Sequence, residues 1–245
     1  MAKRIAICFS GHIRSCGPCI PGFISKIIKP LRDDNYFVDI FGHFWNVTGH
    51  RRSGWIGMPD FQNFNKLHPV RLTTELFNRS HFTSKYGSDQ WMQRPQMQCS
   101  TTSGDATSMH YMIKRSFEEV LSYQIENGVT YDLFIRIRPD LLLSVDINLD
   151  EIKDAIDNEV LYVPEWHGKY PEVTMKLMDQ FAFGNYNMMK EYSSTFDNIP
   201  RYLLRNDIVH TAEGFLNQNI LYLSTKTTSM KYQLQRNGYV DDLWN

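Results

Sequence analysis

The stretch Arg136-Ile137-Arg138-Pro139-Asp140 puts two guanidinium groups and a carboxylate on one short run of chain. Leu133, Ile135 and Ile137 alternate with Phe134, Arg136 and Arg138, which predicts a strand with one polar edge. Pro139 cannot donate to a sheet ladder, so Asp140 is expected where the chain leaves the sheet. In an open α/β sheet the carboxyl ends of the strands border the ligand crevice. There Asp140 could hold a divalent cation through oxygen, and the cation would bridge a diphosphate. Arg136 or Arg138 could pair with a phosphate bidentately. A structural Arg–Asp ion pair at a strand end accounts for the same residues.

Asp179-Gln180-Phe181-Ala182-Phe183-Gly184 brings a carboxylate into a short apolar strand. A carboxylate in a partly apolar site can take a proton from a hydroxyl, so Asp179 is a candidate base. It could equally hydrogen-bond sugar hydroxyls together with Gln180, or be satisfied by backbone amides at a strand start. Glu213 competes for the role of base. It could also be a favourable charge in a first helical turn. Ser10-Gly11-His12-Ile13-Arg14-Ser15 follows the first predicted strand. Gly11 permits close backbone approach, Arg14 could meet a phosphate, and His12 could stack on a base. The segment is not a GxGxxG fingerprint and lacks the lysine of a phosphate-binding P-loop, so an ordinary strand-to-helix turn explains it too. His43 and Trp45 could line a sugar site through an aromatic face, or belong to a core cluster. Cys16-Gly17-Pro18-Cys19 has thioredoxin-like spacing at a helix start, where the helix would lower the Cys16 pKa. A zinc site would need further ligands such as Cys99 and a histidine.

These residues need elements to position them. Arg4 to Phe9 reads as a buried strand, Pro18 to Leu31 as a helix, and Phe37 to Phe41 as a second strand, together a βαβ unit. Residues 46 to 105 are irregular, with a helix-like piece near Thr73 to Phe77. Ser108 to Asn127 shows a helical apolar stripe stopped by Gly128. Further helices are expected over Leu149 to Ile156, Tyr186 to Phe196 and Ala212 to Leu223. Strands are expected at Val160 to Val163, Gln180 to Gly184 and Met230 to Leu234. The fold class is therefore α/β, with a Rossmann-like, mostly parallel central sheet flanked by helices. The absence of a repeat or a Gly/Ser/Pro-rich linker favours one domain over residues 1–245.

Composition narrows the partners. Among 245 residues, 26 are Lys or Arg and 27 are Asp or Glu, a balance that gives no reason to expect nucleic acid. No run approaches the roughly twenty apolar residues of a membrane span, and the N-terminus lacks a signal-peptide pattern. A cytoplasmic setting is expected. Four cysteines do not make a disulfide scaffold.

Four blocks, in order, resemble a group of small glycosyltransferases encoded by large DNA viruses, chloroviruses among them, and by bacterial polysaccharide loci. Phe9 to Ser15 resembles the group's SG..R opening, and Asp39 to Trp45 its D.F.H.W segment. Tyr131 to Asp140 resembles YD..IR.R.D, and Asp179 to Gly184 resembles DQFAFG. The resemblance implies a GT-A-like fold with a nucleotide-binding half over about 1–145 and an acceptor half over about 146–245. It implies a nucleotide-sugar donor, a glycan or glycoprotein acceptor (a capsid glycan made in the host cytoplasm for viral members), and Mn²⁺ or Mg²⁺. Ser10, Gly11, His12, Arg14, Arg136, Arg138 and Asp140 would face the donor. His43, Trp45 and Gln180 would face the acceptor, with Asp179 or Glu213 as the base in an inverting transfer. Asp140 would stand for the last carboxylate of an Asp-x-Asp metal motif, but position 138 is Arg, so the arginines could share in charge neutralisation. Two other readings remain: a thiol–disulfide oxidoreductase using Cys16 and Cys19, and a carbohydrate-binding protein without turnover.

Overall fold

Ile5, Ala6, Ile7, Cys8 and Phe9 are apolar without a break because both faces of their strand are covered. The computed structural model describes residues 2–13, 15–46, 59–78, 82, 103–165, 177–205, 207–208, 211–236 and 239–241. Its main sheet has the order β3-β2-β1-β4-β7-β6-β8. The strands are β1 (Arg4–His12), β2 (Phe37–Trp45), β3 (Arg71–Glu75), β4 (Leu133–Ile137), β6 (Leu161–Val163), β7 (Phe181–Gly184) and β8 (Thr225–Thr227). β1 runs parallel to β2 and β4, β2 to β3, and β6 to β8, while β7 is antiparallel to β4 and β6. A small antiparallel sheet joins β5 (Leu141–Leu143), β9 (Tyr232–Arg236) and β10 (Tyr239–Asp241). The expected α/β class and mostly parallel sheet are the ones observed.

The period-two alternation in β1 and β4 sorts side chains between two helical layers. Ile5, Ile7, Phe9, Leu133, Ile135 and Ile137 pack with the helical stretch 17–33 and with the helix Leu149–Asp157. Ala6, Cys8, Phe134 and Ala182 pack with the helices Ser103–Asn127, Tyr186–Ser193 and Ala212–Asn219. The stretch 17–33 contains a π turn, Ile24–Ile28, just before Pro30. Pro30 has no N–H to offer the Lys26 carbonyl. That carbonyl instead accepts from the Ile147 amide at 2.7 Å, which ties the 17–33 stretch to the segment leading into the Leu149–Asp157 helix. Asn148, Asn185 and Thr211 cap the helices that follow them by accepting backbone N–H bonds.

Several expectations are corrected. The piece near Thr73 is not helical but lies partly in β3, where β-branched Thr73 and Thr74 suit an edge strand beside β2. The expected helix over 186–196 is two helices, Tyr186–Ser193 and Thr195–Leu203, and the Ala212 helix stops at Asn219. β4 has no solvent-facing polar edge, because every residue in it is buried. The strands β5 and β8 are too short to leave a periodic signal.

Gly42 marks where the sheet tolerates nothing larger. A Cβ there would lie 2.6 Å from a ring carbon of Phe44, 2.7 Å from one of Phe64 and 2.9 Å from Leu72 Cδ1. These side chains belong to packed core, so Gly42→Ala should cost about 1–3 kcal/mol through overpacking. The expected result is a lower urea midpoint with an unchanged slope. A midpoint equal to the wild type's would show that the core has room to relax.

Candidate functional site

The connections out of β1 and β4 diverge. β2 and β3 build outward on one side of β1, and β4 joins on its other side, which makes the carboxyl ends of β1 and β4 a switch point, the place where an open α/β sheet is expected to offer a ligand crevice. The end of β1 lines it with Ser10, Gly11 and His12. Gly11 has φ +118°, a conformation that a side chain strains. Ser15, just beyond, holds a left-handed φ of 51°. His12 has its ring 6.4 Å from that of Phe77. Arg14 lies outside the described residues.

Arg136 is buried on the Cys8 face of the sheet. Its Nη1 donates to the Asp179 carbonyl, and its Nε lies 3.4 Å from Ser10 Oγ. Tyr192 also donates to the Asp179 carbonyl, at 3.1 Å. The backbone at 179 is thus fixed by two side chains from two different elements. The side chains that follow are left in want of donors. Asp179 Oδ2 and Gln180 Oε1 are both buried, and neither has a hydrogen-bond partner among the described residues. Leaving such an acceptor unsatisfied costs on the order of 1–3 kcal/mol, so a pair of them on consecutive residues calls for an external donor.

Arg138 and Asp140 form a closed pair. Arg138 Nε lies 2.9 Å from Asp140 Oδ1 and Arg138 Nη2 lies 2.7 Å from Oδ2. Asp140 is 1% exposed. Burial works against the Arg138 charge, but the adjacent Asp140 carboxylate and then Asp179 more than offset it, so the guanidinium pKa moves upward. Position 140 therefore has the structural ion-pair arrangement. Both of its carboxylate oxygens are taken by one guanidinium, and among the described residues no three His, Cys, Asp or Glu side chains converge on a possible cation position. These residues do not fit the Mn²⁺ or Mg²⁺ site expected at Asp140.

Glu213 enters the same cluster from the first turn of the Ala212–Asn219 helix, whose cap Thr211 accepts from the Gly214 amide at 3.0 Å. Its pKa is raised to about 7, first by burial and then by the nearby Asp179 charge, against opposing contributions from the helix amide, Arg138 and Thr211. The Ala212 carbonyl, one residue earlier, lies 2.8 Å from His110 Nε2. A carbonyl only accepts, so Nε2 carries the hydrogen. Burial lowers the His110 pKa to about 4, which keeps the ring neutral at pH 7. Sequence reasoning missed His110, Tyr192 and Tyr232. Tyr232 on β9 senses both Asp179 and Arg138. Each sits in an apolar helical or strand pattern that gives no local sign of a site.

Other candidates lie apart from the cluster. Trp45 is buried, with Tyr111 stacked on it and Phe77 and Phe82 edge-on, so it is a core residue and presents no open ring to a sugar. His43 is buried between Thr73 Oγ1 at 2.6 Å and Glu75 Oε1 at 3.0 Å, and burial lowers its pKa. Cys16 and Cys19 are buried free thiols facing the carbonyls of Asp60 and Ser15. The expected depression of the Cys16 pKa is reversed. Burial first and the Asp60 charge second push it up, and burial pushes Cys19 to about 12. Asp60 also accepts from the Gly17 amide at 3.1 Å and from Asn63, which clamps the segment after β1. Its position one residue before a short helix was a legible capping signal. Cys99 lies outside the described residues.

No family model and no curated protein matches this chain. Solved structures similar to it include the three that follow. The bifunctional glycosyltransferase WbbM, in its apo form, is 15% identical with a TM-score of 0.44, over 92% of this chain and 38% of that one. The glycosyltransferase GlyE of Streptococcus pneumoniae TIGR4 is 13% identical with a TM-score of 0.39, over 94% of this chain and 46% of that one. The galactosyltransferase LgtC, in complex with donor and acceptor sugar analogues, is 9% identical with a TM-score of 0.46, over 91% and 72%. This chain spans less than half the length of the first two. With every TM-score below 0.5, the chain traces correspond only loosely and say nothing of this chain's chemistry.

The raised Glu213 pKa has a consequence for stability. The folded protein keeps a proton that the unfolded chain releases near 4.5, so this contribution is complete below pH 4.5 and is lost as pH rises through about 7. Urea midpoints measured from pH 5 to 8 should fall for the wild type and fall less for Glu213→Gln. Parallel curves for the two proteins would mean that Glu213 titrates normally.

Proposed function

We propose that the chain is a glycosyltransferase that moves a sugar from a nucleotide-sugar donor to a hydroxyl of a glycan or glycoprotein acceptor. The observation that carries this reading is the pair of buried, partnerless acceptors, Asp179 Oδ2 and Gln180 Oε1, in a cluster with a carboxyl group held near neutrality. Phosphate oxygens have no proton to give such acceptors at neutral pH, whereas sugar hydroxyls do. The four-block resemblance described above points to the same class, with a GT-A-like division into a donor half over about 1–145 and an acceptor half over about 146–245.

In this mechanism Ser10, Gly11 and His12, with Arg14, border the nucleotide. Asp179 and Gln180 accept hydrogen bonds from sugar hydroxyls and orient the ring. Glu213, with a pKa of about 7, is deprotonated in a useful fraction of molecules and can still accept a proton strongly. It takes the proton of the acceptor hydroxyl as that oxygen bonds to the anomeric carbon. The bond from that carbon to the diphosphate oxygen breaks, its electron pair leaves with the nucleoside diphosphate, and configuration inverts. A thiol route is disfavoured by the upward shifts of Cys16 and Cys19. A carbohydrate-binding protein without turnover would have no use for a poised base.

A panel of UDP-, GDP- and dTDP-sugars tests this through release of nucleoside diphosphate, with and without glycan acceptors. One donor class should be turned over. Glu213→Gln should lower kcat by about 10²–10⁴-fold with little change in donor KM. Asp179→Asn and Gln180→Ala should lower kcat/KM by weakening the hold on the sugar. A wild type inert toward every donor, or a Glu213→Gln variant at full rate, would defeat the proposal.

A further inference from the structure

We infer that this chain meets the diphosphate of its ligand with the Arg138 guanidinium instead of a divalent cation, and that Asp140 is the positioning residue that holds Arg138. The inference rests on the transferase reading and concerns the same crevice. Three observations support it.

The first is saturation of the carboxylate that a metal would need. Asp140 is 1% exposed and both its oxygens are engaged by Arg138. A cation would have to approach a sealed-in carboxylate whose two oxygens are already bonded by a guanidinium. It would also approach two guanidinium groups, Arg136 and Arg138, whose charges repel it.

The second is what the pairing leaves available. Asp140 uses the Nε and Nη2 edge of Arg138, and Arg138 Nη1 makes no hydrogen bond to a described residue. The side chain remains 19% exposed although its partner is sealed in. An arginine braced along one edge presents its other N–H groups in a fixed direction, which suits a planar or tetrahedral oxyanion and loses little entropy on binding. Lysine could not be braced and remain directional in this way.

The third is placement. Arg138 directly follows β4, and its amide donates to the Gln180 carbonyl at 3.1 Å. One residue earlier, Ile137 is in register with Phe9, so Arg138 stands level with Ser10 at the carboxyl end of the sheet. The hydroxyl-seeking acceptors of Asp179 and Gln180 are on the neighbouring segment. A sugar held there would carry its diphosphate toward the braced arginine.

Isothermal titration of the full chain with inorganic pyrophosphate, in EDTA and again in excess Mn²⁺, tests the inference without requiring turnover. The wild type should bind in EDTA, with affinity changed by less than about threefold on adding Mn²⁺. Loss of a charge-assisted, directional contact should weaken binding at least about tenfold in Arg138→Gln. Because that variant strands a buried carboxylate and could unfold, Arg138→Gln/Asp140→Asn, which replaces the ion pair by neutral near-isosteres, serves as the second variant, and it should be equally weak. Asp140→Asn alone leaves Arg138 a single acceptor and should weaken metal-free binding by less than Arg138→Gln does, and wild-type affinity in Asp140→Asn would overturn the positioning role of Asp140. Binding that appears only with Mn²⁺, wild-type affinity in the double variant, or no pyrophosphate binding by the wild type would each overturn the inference. Sugar transfer that proceeds but requires Mn²⁺ would overturn it while sparing the transferase reading. Metal-free pyrophosphate binding without turnover of any donor would do the reverse.

Discussion

Two guanidinium groups, one buried and one partly buried, stand at the end of a single strand, and the rest of the site depends on how they are satisfied. A buried charge is tolerated only when acceptors surround it. Arg136 obtains its acceptors from the segment before β7, through the Asp179 carbonyl, and it also lies close to Ser10 on β1. Arg138 obtains both of its acceptors from Asp140. One arginine thus joins three neighbouring chain segments across the sheet, and the other closes the turn by which the chain leaves it. Pro139, between Arg138 and Asp140, prevents the strand from continuing and sends Asp140 back toward Arg138.

Fixing the backbone at Asp179 has a chemical result. Its carbonyl is held by Arg136 and Tyr192, while Asp179 Oδ2 and Gln180 Oε1 meet no donor among the described residues. The unsatisfied acceptors are a cost that a hydroxyl-bearing ligand removes. The same buried charge on Asp179 helps raise the Glu213 pKa, so one carboxylate is held as a hydrogen-bond acceptor while its neighbour sits near neutrality. His110, kept neutral by burial and bonded to the Ala212 carbonyl, braces the start of the helix that presents Glu213.

Motif residues divide between the two ends of the sheet. Asp39, Tyr131 and Asp132 fall within the recurring blocks, yet they lie far from the crevice. Tyr131 donates to Asp39 at 2.7 Å, Arg4 pairs with Asp39 at 3.1 Å, and the Arg4 amide donates to Asp132 at 2.7 Å. These contacts brace β1, β2 and the start of β4 at their amino ends. A short sequence block therefore mixes residues that hold the strands in register with residues proposed to meet a ligand.

The sequence alone determined the α/β class and the strands β1, β2, β4, β6 and β7, and it singled out residues 136–140, 179–180 and 213 as candidates. It could do so because local periodicity and strand ends are properties of contiguous residues. It could not determine what Asp140 does, since a carboxylate beside arginines is the same string whether it faces a cation or a guanidinium. Only the tertiary structure, by burying residue 140 and turning Arg138 onto it, gave the carboxylate a guanidinium partner. Likewise the cysteine spacing suggested activated thiols, and burial beside Asp60 reversed the shift. Trp45 and His43 became core through partners far along the chain, Tyr111, Phe82 and Glu75. In each case the deciding quantity was burial and the identity of a distant neighbour, which no local pattern encodes.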